Sequence, residues 1–328
     1  MKRILALAAL LFLLASCNKD EDDNAAAIED ITNRLNFIIE DNQSNFGSFS
    51  SGLSRTAYKY MLSDPGPYTI MLPDNNAFID AGYPTPNDVL TESASVLNNI
   101  ISYHITHGRW ELNKLPFRFN QEIESISGRK MYVTRWIKNQ DTVVTINGTR
   151  VLNYNMQASN GLIQVLNAVL QPLVHSTLSD AIAADANLTY LNAAIQRAGM
   201  KTLLASAEQT FTVFAPGNEA FVSAGYATIQ DINNADPAVI RRLLEYTMFS
   251  GRKFIYDYVL TTDATDKTEQ RMVSGSNVAV TLVKTLGIYT GINIRGIGNS
   301  SDGALTKTNV LAGNGVLHVI NLVLKETL

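Results

Sequence analysis

Residues 68–83 read YTIMLPDNNAFIDAGY, and residues 211–226 read FTVFAPGNEAFVSAGY. Half of the positions coincide: Thr69/Thr212, Pro73/Pro216, Asn75/Asn218, Ala77/Ala220, Phe78/Phe221, Ala81/Ala224, Gly82/Gly225 and Tyr83/Tyr226, all at an offset of 143. That offset is the size of an ordinary domain, so the pattern predicts two whole domains in tandem rather than a solenoid of short repeats. Within each copy, four apolar residues (YTIM, FTVF) predict a short buried strand. Pro73 or Pro216 ends it, because proline cannot donate to a ladder. The pair Asp74-Asn75, or Gly217-Asn218, supplies a turn and a helix N-cap. Ala77, Phe78 and Ala81 then share one helix face, and Gly82 or Gly225 stops the helix.

The boxes TIMLPDNNAF and TVFAPGNEAF resemble the signature of the fasciclin domain, the second more closely because Phe214 and Ala215 match where Met71 and Leu72 depart. The endings agree with it. Asn160-Gly161 and Asn314-Gly315 each read as a turn leading into an alternating apolar strand, with VLQP closing the first copy. The resemblance implies an α+β fold: two tandem fasciclin-like domains, each a twisted β-sandwich or wedge with packed helices. It also implies a non-enzymatic adhesion or binding module.

Composition agrees with two globular bodies. The chain has 328 residues, of which 46% are hydrophobic and 17% charged. A half of that size buries about 68–70% of its unfolded surface, enough for a core without disulfides or metals. The expected division is 1–17 signal peptide, 18–27 acidic tether, 28–174 first domain and 175–328 second domain. Lys2 and Arg3 precede an apolar run over residues 4–14, too short to span a bilayer and suited to a signal peptide. Leu14-Ala15-Ser16-Cys17 resembles a bacterial lipobox, and Cys17 is the single cysteine. Lipidation of Cys17 by acyl chains such as palmitate would anchor the chain, at about 0.8 kcal/mol per buried methylene. Asn18-Lys19-Asp20-Glu21-Asp22-Asp23 is a solvated tether that also resembles the acidic export tag of Bacteroidetes surface lipoproteins. The expected location is the outer membrane, facing the cell surface, with the periplasmic leaflet as the alternative. Loss of Lys2 and Arg3 with the signal peptide deepens the net charge of −4, and no basic run remains to suit nucleic acid.

Along the first copy, residues 28–39 have the spacing of a helix, and Ser/Asn/Gly-rich residues 40–53 predict a loop. Ser93 or Ser95 caps a helix whose apolar face carries Val96, Leu97, Ile100, Ile101 and His104. It ends in Tyr103-His104, and in the related periostin-type proteins this region implies integrin contact. The apolar face on which His104 falls favours core packing instead. His104 and His107 lie three apart, but without a cysteine or a carboxylate at matching spacing they define no zinc site. No metal and no cofactor are expected. Residues 131–137, MYVTRWI, predict a strand with Met131, Val133 and Ile137 on one face and Tyr132, Thr134 and Trp136 on the other. Tyr132 and Trp136, or Trp110, would suit stacking on a sugar; a second core is the alternative. The possible ligand-binding residues are therefore Tyr103, His104, Trp110, Tyr132 and Trp136. Residues 143–152 predict a hairpin through Asn147-Gly148.

In the second copy Tyr246 matches Tyr103 and Gly251-Arg252 matches Gly108-Arg109, but Thr247 replaces His104. The offset grows from 143 at the boxes to 154 at Asn314-Gly315, placing eleven extra residues, expected in the loop around 296–303. His318, mid-strand, reads as structural. No G-x-S-x-G, H-E-x-x-H, Walker or G-x-G-x-x-G motif opens a catalytic reading. The expected partner is an extracellular protein or glycan. A glycan-capture protein of a polysaccharide-uptake system and a hydrolase with an unrecognised site are the alternatives.

Overall fold

The computed structural model describes residues 31–327. The signal peptide, Cys17, the tether and the start of the 28–39 helix lie outside the described residues.

Strands β1 (Tyr68–Pro73), β2 (Ile105–His107), β3 (Arg118–Glu124), β4 (Lys130–Lys138), β5 (Asp141–Ile146), β6 (Thr149–Ala158) and β7 (Gly161–Leu166) form one sheet of order β2-β1-β7-β6-β5-β4-β3. Strands β8 (Phe211–Pro216), β9 (Met248–Ser250), β10 (Lys267–Arg271), β11 (Asn277–Thr285), β12 (Ile288–Arg295), β13 (Gly303–Ala312) and β14 (Gly315–Ile320) form a second, of order β10-β11-β12-β13-β14-β8-β9. The two orders correspond strand for strand. In each, the box strand pairs in parallel with the last strand, β1 with β7 and β8 with β14. The chain is α+β, with two curled sheets each packed by helices.

Every residue of β1, β7, β8 and β14 is buried. Apart from Thr69, Gln164, Thr212 and His318, whose side chains are hydrogen-bonded, these strands are apolar rather than alternating because both faces are covered. Ile70 and Leu72 point into the helix-side core, and Met71 points into a second core inside the curl of the sheet. Val213 and Ala215 oppose Phe214 in the same way. Each box continues into a helix, Asn75–Asp80 or Asn218–Ser223, ended by Gly82 or Gly225 in the left-handed region. Asp74 caps the first through its carboxylate to Ala77 N at 2.8 Å; Gly217 caps the second with no side chain.

Three expectations are corrected. The periodic segment 28–39 is not one helix: extended Arg34 precedes a helix at Leu35–Asp41. Residues 40–53 are not a loop, because Gln43–Ser54 is helical on both sides of a kink at Phe46. Phe46, Phe49 and Leu53 bury there, each contributing roughly 1.5–3 kcal/mol. That exceeds the penalty of about 1 kcal/mol each for Gly47 and Gly52 in a helix. The turns before β7 and β14 are Ser159-Asn160 and Gly313-Asn314, not Asn-Gly, since Gly161 and Gly315 already pair in their strands. Those glycines serve close approach: a Cβ would fall 2.2 Å from the Tyr68 carbonyl oxygen, or 2.1 Å from that of Phe211. The asparagines tie distant segments together. Asn160 accepts from Leu35 N and donates to the Leu62 and Asp64 carbonyls; Asn314 does the same with Leu178, Leu204 and Ser206.

The eleven extra residues are also divided differently from the expectation. The Tyr103 hydroxyl donates to Lys130 O and the Tyr246 hydroxyl to Asn277 O, both at 2.8 Å, so the offset is already 147 at the start of β11. Four of the extra residues therefore enter between Gly251 and Asn277, in the stretch that holds helix Ile255–Thr261. The rest follow, largely where residues 296–302 replace the two-residue turn Asn147-Gly148.

Candidate functional site

Of the five aromatic and histidine candidates, three are interior. Tyr103 is fully buried, donating to Lys130 O and accepting from Asn147 Nδ2 at 2.9 Å; burial pushes its phenol above the ordinary value. His104 is fully buried at the C-cap of helix Ala94–Tyr103. Its Nδ1 donates to Ile100 O at 2.8 Å and its Nε2 accepts from Leu170 N at 2.9 Å. Desolvation lowers its pKa to about 4, so it is neutral near pH 7. In the second repeat Thr247 stands in, donating to Leu244 O at 2.8 Å. Tyr132 is 3% exposed. Trp110 and Trp136 are half-buried: Trp110 Nε1 donates to His107 O at 2.9 Å, and Trp136 packs on Phe119 with ring centroids 4.6 Å apart.

The reading of Tyr132 as a free stacking group is corrected by what covers it. Met131 and Val133 enter the inner core, which turns Tyr132, Thr134 and Trp136 outward from it. The second repeat docks on this outward face. The Arg252 guanidinium lies 3.8 Å from the Tyr132 ring centroid, and Phe254 packs beside it at 6.4 Å. Tyr132, Phe254, Leu311 and Val316 form a small apolar cluster spanning the repeats, with Leu173 against it. Asn120 Nδ2 donates to Arg252 O at 2.7 Å, and Lys138 Nζ reaches the Thr262 carbonyl. Gly148, at φ +79°, lets the β5–β6 turn meet the second repeat: a Cβ there would sit 2.7 Å from that of Phe254.

Asp257, on helix Ile255–Thr261, is buried in this contact. Its carboxyl accepts from Phe254 N at 2.8 Å and from the Thr134 hydroxyl across the interface at 3.3 Å. Desolvation nevertheless raises its pKa to about 7. Lys253 lies over the Tyr258 ring at 3.9 Å, and burial lowers its pKa. Sequence reasoning did not single out these groups. Phe254-x-x-Asp257, an acid three residues into a helix, was the available signal, and it marks a cap rather than an interface.

Beside the contact runs a cleft of about 870 Å³ lined by both repeats. Tyr154 and Arg150 come from the first; Tyr256, Tyr289 and Thr308 come from the second. Arg150 stands 5.9 Å from the Tyr256 ring centroid. Two equivalent hairpin tips flank the cleft: Asn139-Gln140 between β4 and β5, and Leu286-Gly287 between β11 and β12. All four residues have φ between +51° and +80°. Leu286 is 98% exposed and Ile288 68%. The volume and the mixture of tyrosine rings with threonine and asparagine groups suit a ligand held by stacking and hydrogen bonds. Among the described residues, no group of three or more His, Cys, Asp or Glu is placed to hold a metal ion.

His318 repeats the economy of His104. Its Nδ1 accepts from Asn309 N and its Nε2 donates to Lys253 O, both at 3.0 Å. Gln164 makes the equivalent bonds in the first repeat, to Asn155 N at 3.0 Å and Trp110 O at 2.8 Å. A histidine and a glutamine thus perform one structural task.

The chain is similar to Transforming growth factor-beta-induced protein ig-h3 of Oryctolagus cuniculus, 26% identical over 264 residues. The match covers 79% of this chain and 35% of that protein, so the chain spans about a third of that relative's length. Protein sll1483 of Synechocystis sp. is 30% identical over 112 residues, covering 34% of this chain and 58% of that protein. Among solved structures, a FAS1 domain pair from the insect cell adhesion molecule fasciclin I aligns with a TM-score of 0.41 at 16% identity, covering 85% of this chain and 96% of that one. The fasciclin domain family pattern matches twice, over residues 44–172 and 186–326, which together are most of the chain. The chain belongs to the fasciclin domain family, with two domains in tandem.

Proposed function

We propose that this chain is a non-enzymatic adhesion protein, lipid-anchored at Cys17 in an outer membrane and exposed at the cell surface. It binds an extracellular protein or glycan through surfaces that the two fasciclin domains build jointly. Family membership supports adhesion, because the fasciclin resemblance implies it. The observation that carries binding rather than turnover is how the buried reactive groups are spent. His104 and His318 each have both ring nitrogens bound to main chain. Arg252 lies on Tyr132, Lys253 on Tyr258, and Asp257 holds Phe254 N. Each is engaged in holding the fold or joining the repeats, which leaves the cleft to recognition. The lipid anchor is supported by Lys2-Arg3, the apolar run and Leu14-Ala15-Ser16-Cys17.

The test is adherence. Beads coated with the full chain are offered surfaces bearing extracellular matrix proteins, mucin glycans or bacterial envelope proteins, beside uncoated beads. Retention on at least one surface, competed by soluble chain, is the expected result. Equal retention of coated and bare beads on all of them would overturn the proposal.

A further inference from the structure

The cleft lies where both sheets come apart. Strand β5 pairs with β6 only at Thr145–Arg150 and Ile146–Thr149; β12 pairs with β13 only at Asn293–Ala304 and Ile294–Gly303. Beyond those pairs the strands diverge, and the two openings face one cleft. They are not equivalent. In the first repeat the Tyr154 hydroxyl crosses the opening and donates to Thr142 O at 3.0 Å. The residue at the Tyr154 position of the second repeat, at the offset of 154, is Thr308, which is exposed and too short to cross. Among the described residues, 288–291 make no main-chain hydrogen bond outside the β11 pairing. A bulge at Val283/Lys284 leaves Thr290 out of the β11 register, its hydroxyl donating to Val283 O at 3.5 Å.

The hairpin leading into this open edge is unusual in composition. Leu286 takes φ +51°, where the first repeat has Asn139 at +52°. A left-handed position favours asparagine or glycine and strains a leucine. Yet Leu286 is almost wholly solvent-exposed, and Ile288 follows it two residues on, also exposed. A leucine kept in strain and out of every core is placed to touch something else.

The geometry points to addition of an extended polypeptide segment along β12, at residues 288–292, with Leu286 and Ile288 gripping its side chains. An open strand edge offers donors and acceptors at the spacing of a polypeptide, about 16 Å for five residues. A folded sheet is too bulky for an edge recessed in a cleft, whereas a single strand is not. The ligand class is therefore an unfolded or loop segment of a protein. This assignment rests on the binding function proposed above and names its ligand.

The experiment pans random 12-residue peptides displayed on phage against the full chain in detergent micelles, then uses synthetic copies of the enriched sequences. A glycan array of mucin and plant oligosaccharides runs in parallel. Expected are peptides that slow hydrogen exchange at the amides of residues 288–291. Methylating alternate peptide nitrogens should abolish binding. Leu286→Asn should weaken it at least about 10-fold, as loss of one apolar anchor does, with thermal stability unchanged or higher. Thr308→Tyr, restoring the first repeat's latch, should block it by a similar factor. Enriched peptides that protect other amides, or binding indifferent to both variants, would overturn the assignment. So would a failure to enrich any peptide, whether or not glycans bind. Adhesion on beads with any of these results leaves the function standing and removes only the strand-addition site.

Discussion

Replacing Asp257 with asparagine should remove one pH dependence from the stability of this protein. The carboxyl is 1% exposed and meets Phe254 N, the Thr134 hydroxyl of β4 and the field of Lys253. Loss of hydration outweighs these and moves its pKa from 3.8 to about 7. Unfolded, it titrates near its ordinary value. Between about pH 4 and pH 7 the folded chain holds a proton that the unfolded chain has released. Stability contributed by this group is fully present below pH 4, falls as the pH rises through 7, and is flat above. A separation of about three pH units corresponds to about 4 kcal/mol. His104 and His318, each held near 4 against an ordinary 6.5, run the other way: their contribution is present above 6.5 and lost as the pH falls toward 4. The wild-type curve mixes the two, so the comparison must be with the variant. Urea unfolding of both proteins from pH 4 to 8, followed by circular dichroism, should show the difference in unfolding free energy changing by about 4 kcal/mol across that range, to the disadvantage of wild type at high pH. Parallel curves would refute the reasoning. So would a carbon-13 titration of the Asp257 carboxyl with a midpoint below about 5.

Gly148→Val should separate the repeats, since its Cβ would meet Phe254 Cβ at 2.7 Å at a φ of +79°. A loss of about 2–4 kcal/mol and a larger radius of gyration by X-ray scattering are expected. Thr212→Val should cost about 1–3 kcal/mol, because the Thr212 hydroxyl both donates to Gly251 O at 2.7 Å and accepts from Lys253 N at 2.9 Å; thermal melts read it, and Thr69→Val should match it for the same geometry. Cys17→Ala should abolish incorporation of labelled palmitate and release the chain from membranes; retained label on the variant would remove the anchor.

Much of the fold could be read locally. The box strands, the caps at Asp74 and Ser93 and the Asn147-Gly148 turn are set by residues within a few positions of one another. The Ser/Asn/Gly-rich helix Gln43–Ser54 could not be read so, because its stability comes from burying Phe46, Phe49 and Leu53 against segments far along the chain. Tyr132 is not a free binding group for a related reason. An aromatic on a strand face has the same sequence signature whether solvent, a sugar or a second domain covers it, and in the case of Tyr132 a second domain does. Nor does sequence equivalence reveal that Gln164 and His318 make the same bonds, since neither residue resembles the other chemically.

The duplication is legible in two short motifs and their spacing, and the α+β class follows from the family resemblance that those motifs carry. Which faces stay open depends on packing between distant segments. It set Arg252, Phe254 and Asp257 against β4, more than a hundred residues away in the chain, and thereby closed one aromatic face and raised one carboxyl's pKa. It also left residues 288–291 of β12 unpaired on the β13 side, beside an exposed leucine. Burial and desolvation belong to contacts between distant segments, and no local pattern of residues carries them.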